Sequence, residues 1–176
     1  MQLNRNRDRQ ALLYGLGAVL AWSTVATAFK LALRELDVLQ LVAYSACFSA
    51  LALFAILAWQ GRLPLLREYA SATPGYFLLM GLVNPVLYYL VLLHAYDLLP
   101  AQQAQAINYT WAITLALLAV PVLGHKLTRR DLLALVLGYS GVLIIATRGR
   151  VFQLEFDSLA GVGLALLSTL IWALYW

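Results

Sequence analysis

Long apolar stretches alternate with short polar ones along the whole chain. Six apolar segments can be drawn, at about residues 11–33, 39–59, 75–96, 101–123, 132–147 and 158–176. None of them shows the strict alternation of apolar and polar residues that is typical of a half-buried strand. Helices satisfy their backbone hydrogen bonds internally, and about 20 apolar residues suffice to cross a bilayer. The pattern therefore predicts an all-α bundle of membrane-spanning helices.

The fourth segment differs from the others because polar residues fill its first half. Gln105, Asn108 and Ala112 fall on one face at helical spacing, and Gln102 lies one turn earlier. Because lipid does not satisfy amide groups, we expect this strip to face the interior of the bundle. A helix of this kind is typical of the wall of a path for a polar solute.

The first segment carries hydroxyl groups followed by a cation. Ser23, Thr27 and Lys30 share one face at helical spacing. One interpretation is a pore-facing strip that contacts an anionic or zwitterionic solute. The other, which these residue types favour, is that the hydroxyls bond to their own helix while Lys30 reaches the outer headgroups.

Two features of the third segment each allow two interpretations. Pro85 follows Asn84 and predicts a kink, because a proline removes a backbone hydrogen bond. Asn84 and Tyr88 then share a face, which belongs either to a moving, solute-facing wall or to a packing kink. Near the end of the segment, His94 and Asp97 stand three residues apart. They are interpreted as interface residues rather than as a proton relay.

The fifth segment contains Gly138-Tyr139-Ser140-Gly141, a string that also surrounds the nucleophile of intramembrane serine proteases. Such a serine needs a histidine within hydrogen-bonding reach, and in that family it lies on a later helix. Both histidines, His94 and His125, precede Ser140. The glycines are therefore interpreted as packing residues, and no catalytic residue, metal site or cofactor is predicted in the chain.

Composition agrees with a membrane protein. Hydrophobic residues make up 63% of the chain and charged residues 11%, which excludes an ordinary water-soluble domain. The formal net charge of +4 does not indicate nucleic-acid binding, because the basic residues lie in short clusters between the apolar segments. The single cysteine, Cys47, has no partner in the chain for a disulfide.

The basic clusters also predict the orientation of the chain. With the N-terminus in the cytoplasm, eight of the twelve basic residues fall on the inner side, in loops short enough for the positive-inside rule. These eight are Arg5, Arg7, Arg9, Arg62, Arg67, Lys126, Arg129 and Arg130. The stretch from residue 60 to residue 73 is accordingly expected to be an inner loop.

Several short motifs, in their order along the chain, resemble the EamA-type members of the drug/metabolite transporter superfamily. They are Ala21-Trp22-Ser23-Thr24 with Lys30, Asn108-Tyr109-Thr110-Trp111, Gly138 with Gly141-Val142-Leu143, and Trp172-Ala173-Leu174-Tyr175. The second string is similar to the branch that exports aromatic amino acids and related cations, although that branch often has Pro where this chain has Ala112. The last string is similar to the start of the second EamA repeat.

The resemblance implies a ten-helix bundle, built from two five-helix repeats of inverted topology around a central cavity. Residues 1–10 would be a basic cytoplasmic N-terminus, 11–147 the first repeat with five transmembrane helices, 148–157 an external linker and 158–176 the start of the second repeat. The chain is accordingly expected to be the front part of a longer protein whose second repeat completes the bundle. A chain that ended at Trp176 would instead pair with a second copy of itself.

The resemblance also implies a function, namely a secondary transporter in the bacterial inner membrane. It would export amino acids, aromatic or similar, or related small metabolites by alternating access, without covalent chemistry or a cofactor. The candidate substrate-binding residues are Trp22, Ser23, Thr27, Asn84, Tyr88, Gln105, Asn108, Tyr109, Trp111 and Trp172. Their amide and hydroxyl groups would bind the polar head of the solute, and their rings would stack on an aromatic body or hold a cation.

Two other functions stay open at this point. A small multidrug-resistance-like subunit would act as a dimer, but such proteins depend on a glutamate in the first helix, and the first segment here has no acid. A structural membrane subunit would use the polar strip of the fourth segment to bind neighbouring helices. Interhelical hydrogen bonds in membranes contribute about 0.6 kcal/mol each on average, which is compatible with that role.

Overall fold

The computed structural model describes the backbone of residues 5–152 and 157–176, and their side chains except those of residues 5–8, 67 and 70–72. Parts of three predictions lie outside the described residues. They are residues 1–4 of the cytoplasmic N-terminus, residues 153–156 of the external linker, and the side chains of Arg5, Arg7 and Arg67 that contribute to the predicted orientation.

The described residues form nine α-helices and one π-helical segment, with no strand among them. The helices are α1 (Arg5–Ala32), α2 (Val38–Trp59), α3 (Leu63–Ala72), α4 (Pro74–Gly81), α5 (Tyr88–Leu98), α6 (Ala101–Asn108), α7 (Trp111–Leu123), α8 (Arg129–Ala146) and α9 (Leu159–Tyr175). The π-helical segment, Leu82–Leu87, joins α4 to α5.

Four helical stretches are long and apolar enough to cross a membrane. They are Arg9–Ala32, Val38–Trp59, Pro74–Leu98 and Ala101–Leu123. The fifth and sixth predicted segments correspond to α8, which begins with three charged residues, and to α9, a shorter apolar helix of 17 residues. The prediction of an all-α, multi-pass membrane bundle is confirmed.

Side-chain caps determine where three of the helices begin. The backbone N–H of Gln40 donates to Asp37 Oδ1 at 2.8 Å, and the N–H of Asp37 donates to Gln40 Oε1 at 3.1 Å. Thr128 and Asp131 form the same reciprocal box at the start of α8, and the hydroxyl of Ser158 caps α9. Each cap satisfies backbone N–H groups that have no partner inside the helix.

Two of the four candidate spans are interrupted. The third bends at Asn84 (φ −142°, ψ 113°), immediately before Pro85, where the sequence predicts a kink. The fourth is interrupted between α6 and α7, where the backbone N–H and the hydroxyl of Thr110 both donate to the carbonyl of Ile107, at 3.0 and 2.8 Å. A threonine hydroxyl that competes for a helical carbonyl bends the helix. The interruption therefore forms without a proline, because the residue after Trp111 is Ala112.

The expected inner loop over residues 60–73 is instead largely helical, and this prediction was wrong. Gly61, at φ +67°, turns the chain after α2, and α3 follows from Leu63. Pro64 lies in the first turn of α3. At that position its missing N–H would have no intrahelical partner in any case, so proline starts a helix rather than breaking one.

The helix α9 lies at the centre of the described bundle, where it packs against α5, α6, α7 and the π-helical segment. A close approach occurs at Gly161, where a Cβ atom would lie 2.7 Å from Leu99 Cγ and 3.0 Å from Leu98 Cβ. The largest buried cluster combines residues of α5, α6, α8 and α9. Its members are Tyr88, Leu92, Ala95, Tyr96, Leu99, Ala104, Ile107, Ala146 and Ala165.

The glycines of the fifth predicted segment differ in their surroundings. A Cβ atom on Gly138 would lie 2.7 Å from Ile113 Cδ1, so Gly138 fits the predicted packing role between α7 and α8. Gly141 has open space where a side chain would go. The motif Gly138-Tyr139-Ser140-Gly141 thus contains one packing glycine.

Candidate functional site

A small cavity between α1, α5 and α6 brings together residues from three predicted segments. The residues that line it are Trp22, Val25, Phe29, Tyr88, Tyr89, Leu92, Tyr96, Gln105, Asn108 and Tyr109. Its volume of about 20 Å³ holds one water molecule and is too small for a metabolite. The cavity in the described conformation therefore has no room for a solute of that size.

One chain of hydrogen bonds links α5, α6 and α9 beside this cavity. Tyr88 Oη donates to Asn108 Oδ1 at 3.3 Å, and Asn108 Nδ2 donates to Ser168 Oγ at 3.0 Å. Ser168 Oγ in turn donates to the backbone carbonyl of Ala165 at 2.6 Å. Asn108 is 6% exposed and Ser168 is fully buried. A buried amide is costly without partners, so these two contacts fix the orientation of the Asn108 side chain.

A second chain of hydrogen bonds joins α5 to α6. Tyr96 Oη donates to Gln105 Oε1 at 3.1 Å, and Gln105 Nε2 donates to Tyr109 Oη at 2.8 Å. Gln105 and Asn108, which the sequence places on one helical face, both line the cavity. The amides of Gln105 and Asn108 thus point toward α5, whereas Gln102 and Ala112, which were expected on the same inward strip, are exposed.

Aromatic rings surround these polar groups. The ring of Trp172 lies 4.7 Å from that of Tyr88 and 6.2 Å from that of Trp111, measured between centroids. Phe29 makes an edge contact with Tyr96 at 5.5 Å. The indole Nε1 of Trp172 is buried and has no hydrogen-bond partner among the described residues. Buried N–H groups nearly always have a partner, so this one is unusual.

Seven of the ten predicted site residues belong to this arrangement. Trp22, Tyr88, Gln105, Asn108 and Tyr109 line the cavity. Trp172 contacts Tyr88, and Trp111 extends the aromatic stack beyond Trp172.

Ser23, Thr27 and Asn84 do not belong to it. The hydroxyl of Ser23 is exposed and donates to the backbone carbonyl of Leu20 at 2.7 Å, so it bonds to its own helix. Thr27 is exposed, and Asn84 lies half-buried at the kink. None of the three lines the cavity. A hydroxyl that satisfies itself on the preceding turn has no need of a neighbouring helix.

Lys30 fits neither of the two interpretations suggested by the sequence. Its amino group donates to the backbone carbonyl of Tyr96, in the last turn of α5, and its side chain is half-buried. The last carbonyls of a helix lack intrahelical partners, and a cation at that end is stabilised by the helix dipole. Lys30 therefore ties α1 to α5 instead of reaching the headgroups.

Sequence reasoning missed Phe29, Tyr96 and Ser168. A signal for each was present in the spacing, because they stand seven, eight and four residues from Trp22, Tyr88 and Trp172, respectively. Such separations place two residues on the same stripe of a helix. Extending each predicted residue along its own stripe would have identified all three.

The residues considered for a proton relay or for a protease nucleophile do not line the cavity. His94 Nδ1 bonds to the carbonyl of Leu90 at 2.7 Å, and both His94 and Asp97 are exposed. The hydroxyl of Ser140 is exposed and donates to the carbonyl of Val136 in its own helix. Within residues 5–152 and 157–176, no group of three or more His, Cys, Asp or Glu side chains is placed to hold a metal ion.

Comparison with known proteins gives one family. A model of the EamA-like transporter family matches residues 9–147, which is well over half of the chain. The matched range includes every residue that lines the cavity, whereas Ser168 and Trp172 on α9 lie beyond it. No curated protein and no solved structure matches the chain.

Proposed function

Because the chain belongs to the EamA-like transporter family, we propose that it is a secondary transporter that exports aromatic or similar amino acids, or related metabolites, by alternating access. Membership itself makes the chain a multi-pass membrane protein of a family that transports small solutes. The solute class, the outward direction and the bacterial inner membrane are parts of the proposal.

The observation that carries the proposal is the cavity between α1, α5 and α6. Its walls come from three of the candidate spans, Arg9–Ala32, Pro74–Leu98 and Ala101–Leu123. A few convergent polar groups in an otherwise apolar, aromatic lining are typical of a site for a small molecule. Polar groups inside a span are costly, and they commonly mark the path of a solute.

Each of the seven residues has a role in the proposed site. The amides of Gln105 and Asn108 bind the polar head of the solute. The rings of Trp22 and Tyr88 stack on its apolar or aromatic body. Trp172 offers the indole N–H that has no partner among the described residues. Tyr109 holds the Gln105 amide at 2.8 Å, and Trp111 supports Trp172.

Transport requires this closed cavity to open. A volume of about 20 Å³ leaves no room for an amino acid, so α1 must move away from α5 and α6, and α9 must move away from Tyr88. The ring contact between Phe29 and Tyr96 and the one between Tyr88 and Trp172 are broken in such a movement. In alternating access, one group of helices rocks against another, and this rocking would produce the movement.

The proposal also includes the division of the chain. Residues 1–10 are a cytoplasmic N-terminus, 11–147 a five-helix repeat, 148–157 an external linker and 158–176 the start of a second repeat of inverted topology. That second repeat comes from the same protein or from a second copy of the chain. The family match ends at residue 147, and α9 packs on α5, α6 and α7. Both observations support a cavity shared by two repeats.

Counterflow of labelled tryptophan into liposomes that contain the purified protein tests the proposal. We expect Asn108→Ala and Trp111→Ala to lose the flux while the protein stays in the membrane. Ser140→Ala and Trp59→Ala are the matched controls, because the Ser140 hydroxyl is exposed and Trp59 on α2 is 89% exposed. Full flux in both Asn108→Ala and Trp111→Ala rules out the cavity as the site. Absence of counterflow with any aromatic amino acid in the wild type rules out the solute class.

A further inference from the structure

We propose that Lys30 makes the cavity prefer solutes that carry an anionic group, a carboxylate in the simplest case, over cations of the same shape. The inference rests on the proposed transport of small solutes and adds the charge class of the solute. It assigns to Lys30 a role in specificity, whereas the lining residues bind the solute directly.

Lys30 is a cation in the last turn of a candidate membrane span. It belongs to the stretch Arg9–Ala32, and its half-buried side chain turns inward to the backbone carbonyl of Tyr96. Among the described residues no carboxylate forms an ion pair with it. Near the end of a span a lysine commonly extends to the headgroups, so the inward contact distinguishes Lys30 from such a residue.

The charge of Lys30 lies beside the cavity on both of the helices that it joins. Phe29, its neighbour on α1, lines the cavity, and so does Tyr96, whose carbonyl accepts its hydrogen bond. The rings of Phe29 and Tyr96 are 5.5 Å apart. The hydroxyl of Tyr96 continues to Gln105, one of the proposed solute-binding amides.

The cavity itself contributes no charge that would oppose Lys30. Its lining consists of aromatic, aliphatic and amide side chains, without a carboxylate, lysine, arginine or histidine. In such surroundings a nearby charge is screened less than it is in water. The end of α5 carries about half a negative charge, which offsets part of the lysine charge but not all of it. Lys30 therefore contributes a positive potential at the cavity.

A purely structural role for Lys30 makes a different prediction. Capping α5 uses one of the three N–H donors of the ammonium group, and a neutral amide supplies such a donor as well. Lys30→Gln keeps a donor and removes the charge, while Lys30→Arg keeps the charge. Arg34→Gln is a matched control, because Arg34 is an exposed cation one helical turn further along the chain.

The test uses three indole compounds that differ in charge. They are indole-3-propionate, tryptophan and N,N,N-trimethyltryptamine, and each is assayed by the concentration that halves labelled tryptophan counterflow. In the wild type we expect the propionate to compete at lower concentration than the quaternary cation. We expect Lys30→Gln to lower the ratio of the two half-inhibitory concentrations, cation over propionate, by more than tenfold, because the loss of a unit charge roughly 10 Å away at an effective dielectric constant near 20 weakens the anion and strengthens the cation by about tenfold each. Lys30→Arg and Arg34→Gln should keep the wild-type ratio.

Two results overturn the inference. One is a wild-type preference for the quaternary cation, which would mean that attraction to the ring faces dominates. The other is an equal ratio in the wild type and in Lys30→Gln. The wild-type ratio alone tests the inference if Lys30→Gln does not assemble. If the wild type shows no tryptophan counterflow at all, it is the proposed function that fails, so the two failures are distinguishable.

Discussion

Helices α1 and α6 both carry polar residues at helical spacing inside an apolar span, yet they use these residues in opposite ways. On α1, the hydroxyls of Ser23 and Thr24 donate to carbonyls three residues back in the same helix. On α6, Gln105 accepts a bond from α5, and Asn108 bonds to both α5 and α9. A hydroxyl has one donor, which the preceding turn can satisfy, whereas an amide has two donors and an acceptor. Amides inside a span are therefore a stronger sign of an interhelical site than hydroxyls.

The two regions differ in packing as well. On α6, Ala104 and Ile107 are buried against neighbouring helices. On α1, all described side chains from Arg9 to Thr24 are exposed. Apart from Trp22, which lines the cavity, the apolar side chains of this surface can face lipid at no cost. The energetic consequences of a substitution should therefore be concentrated around α5, α6 and α9.

The largest expected difference between the two regions concerns glycine. Gly161→Val places a side chain against Leu98 and Leu99 at the contact between α9 and α5, and we expect it to lower the free energy of unfolding by about 1–3 kcal/mol. Gly17→Val on α1 is the control, since it meets open space and should change stability by less than about 0.5 kcal/mol. Thermal unfolding of the detergent-solubilised protein measures both. Similar losses in both variants would mean that α1 is as closely packed as α9.

The next expected effect concerns the bond between α6 and α9. In a double-mutant cycle, Asn108→Ala and Ser168→Ala should be coupled by about 0.6 kcal/mol, with about 1.7 kcal/mol as an upper bound. Ser23→Ala combined with Asn108→Ala should show no coupling, because Ser23 bonds to its own helix. Unfolding free energies of the single and double variants provide the test. A coupling energy of zero between Asn108 and Ser168 would mean that their hydrogen bond does not contribute to stability.

The smallest expected effect lies outside both regions, at the start of α8. The backbone N–H of Thr128, followed by its hydroxyl, donates to the carboxylate of Asp131 and lowers the pKa of that group. A folded-state pKa below the unfolded value of about 3.9 contributes stability above that pH, and the contribution is lost as pH falls through the folded pKa. We expect the wild type to lose more stability than Asp131→Asn between pH 5 and pH 3 in unfolding measurements. Parallel pH profiles would contradict this expectation.

Most of the fold could be predicted, because bilayer thickness and backbone hydrogen bonding leave few alternatives for apolar segments of this length. The second segment illustrates this, since it was expected over 39–59 and α2 spans Val38–Trp59 behind the Asp37 cap. Short interruptions depend on local competition for single carbonyls. The break at Thr110, which forms without a proline, was therefore missed. The helix α3, which has Pro64 in its first turn, was missed as well.

The site could be predicted less completely than the fold. Gln105 and Asn108 were identifiable because amides cannot be satisfied by lipid. For Ser23 and Thr27 the residue types favoured hydroxyls that bond to their own helix, and the Ser23 hydroxyl does so. The contact between Phe29 and Tyr96 depends on the rotation of α1 against α5, and spacing within one helix does not determine this rotation. This contact therefore required the packed bundle.

The stack of Trp111, Trp172 and Tyr88 has a practical consequence for experiments on this protein. Two indole chromophores stand with their ring centres 6.2 Å apart, next to the groups that we expect to hold the solute. Their ultraviolet emission is sensitive to whatever separates or covers the rings, so the site contains its own optical reporter. Trp59 and Trp176, 89% and 73% exposed, contribute a background that Trp59→Phe and Trp176→Phe remove. Occupancy by a solute without an indole ring can then be followed by intrinsic fluorescence, without an attached dye.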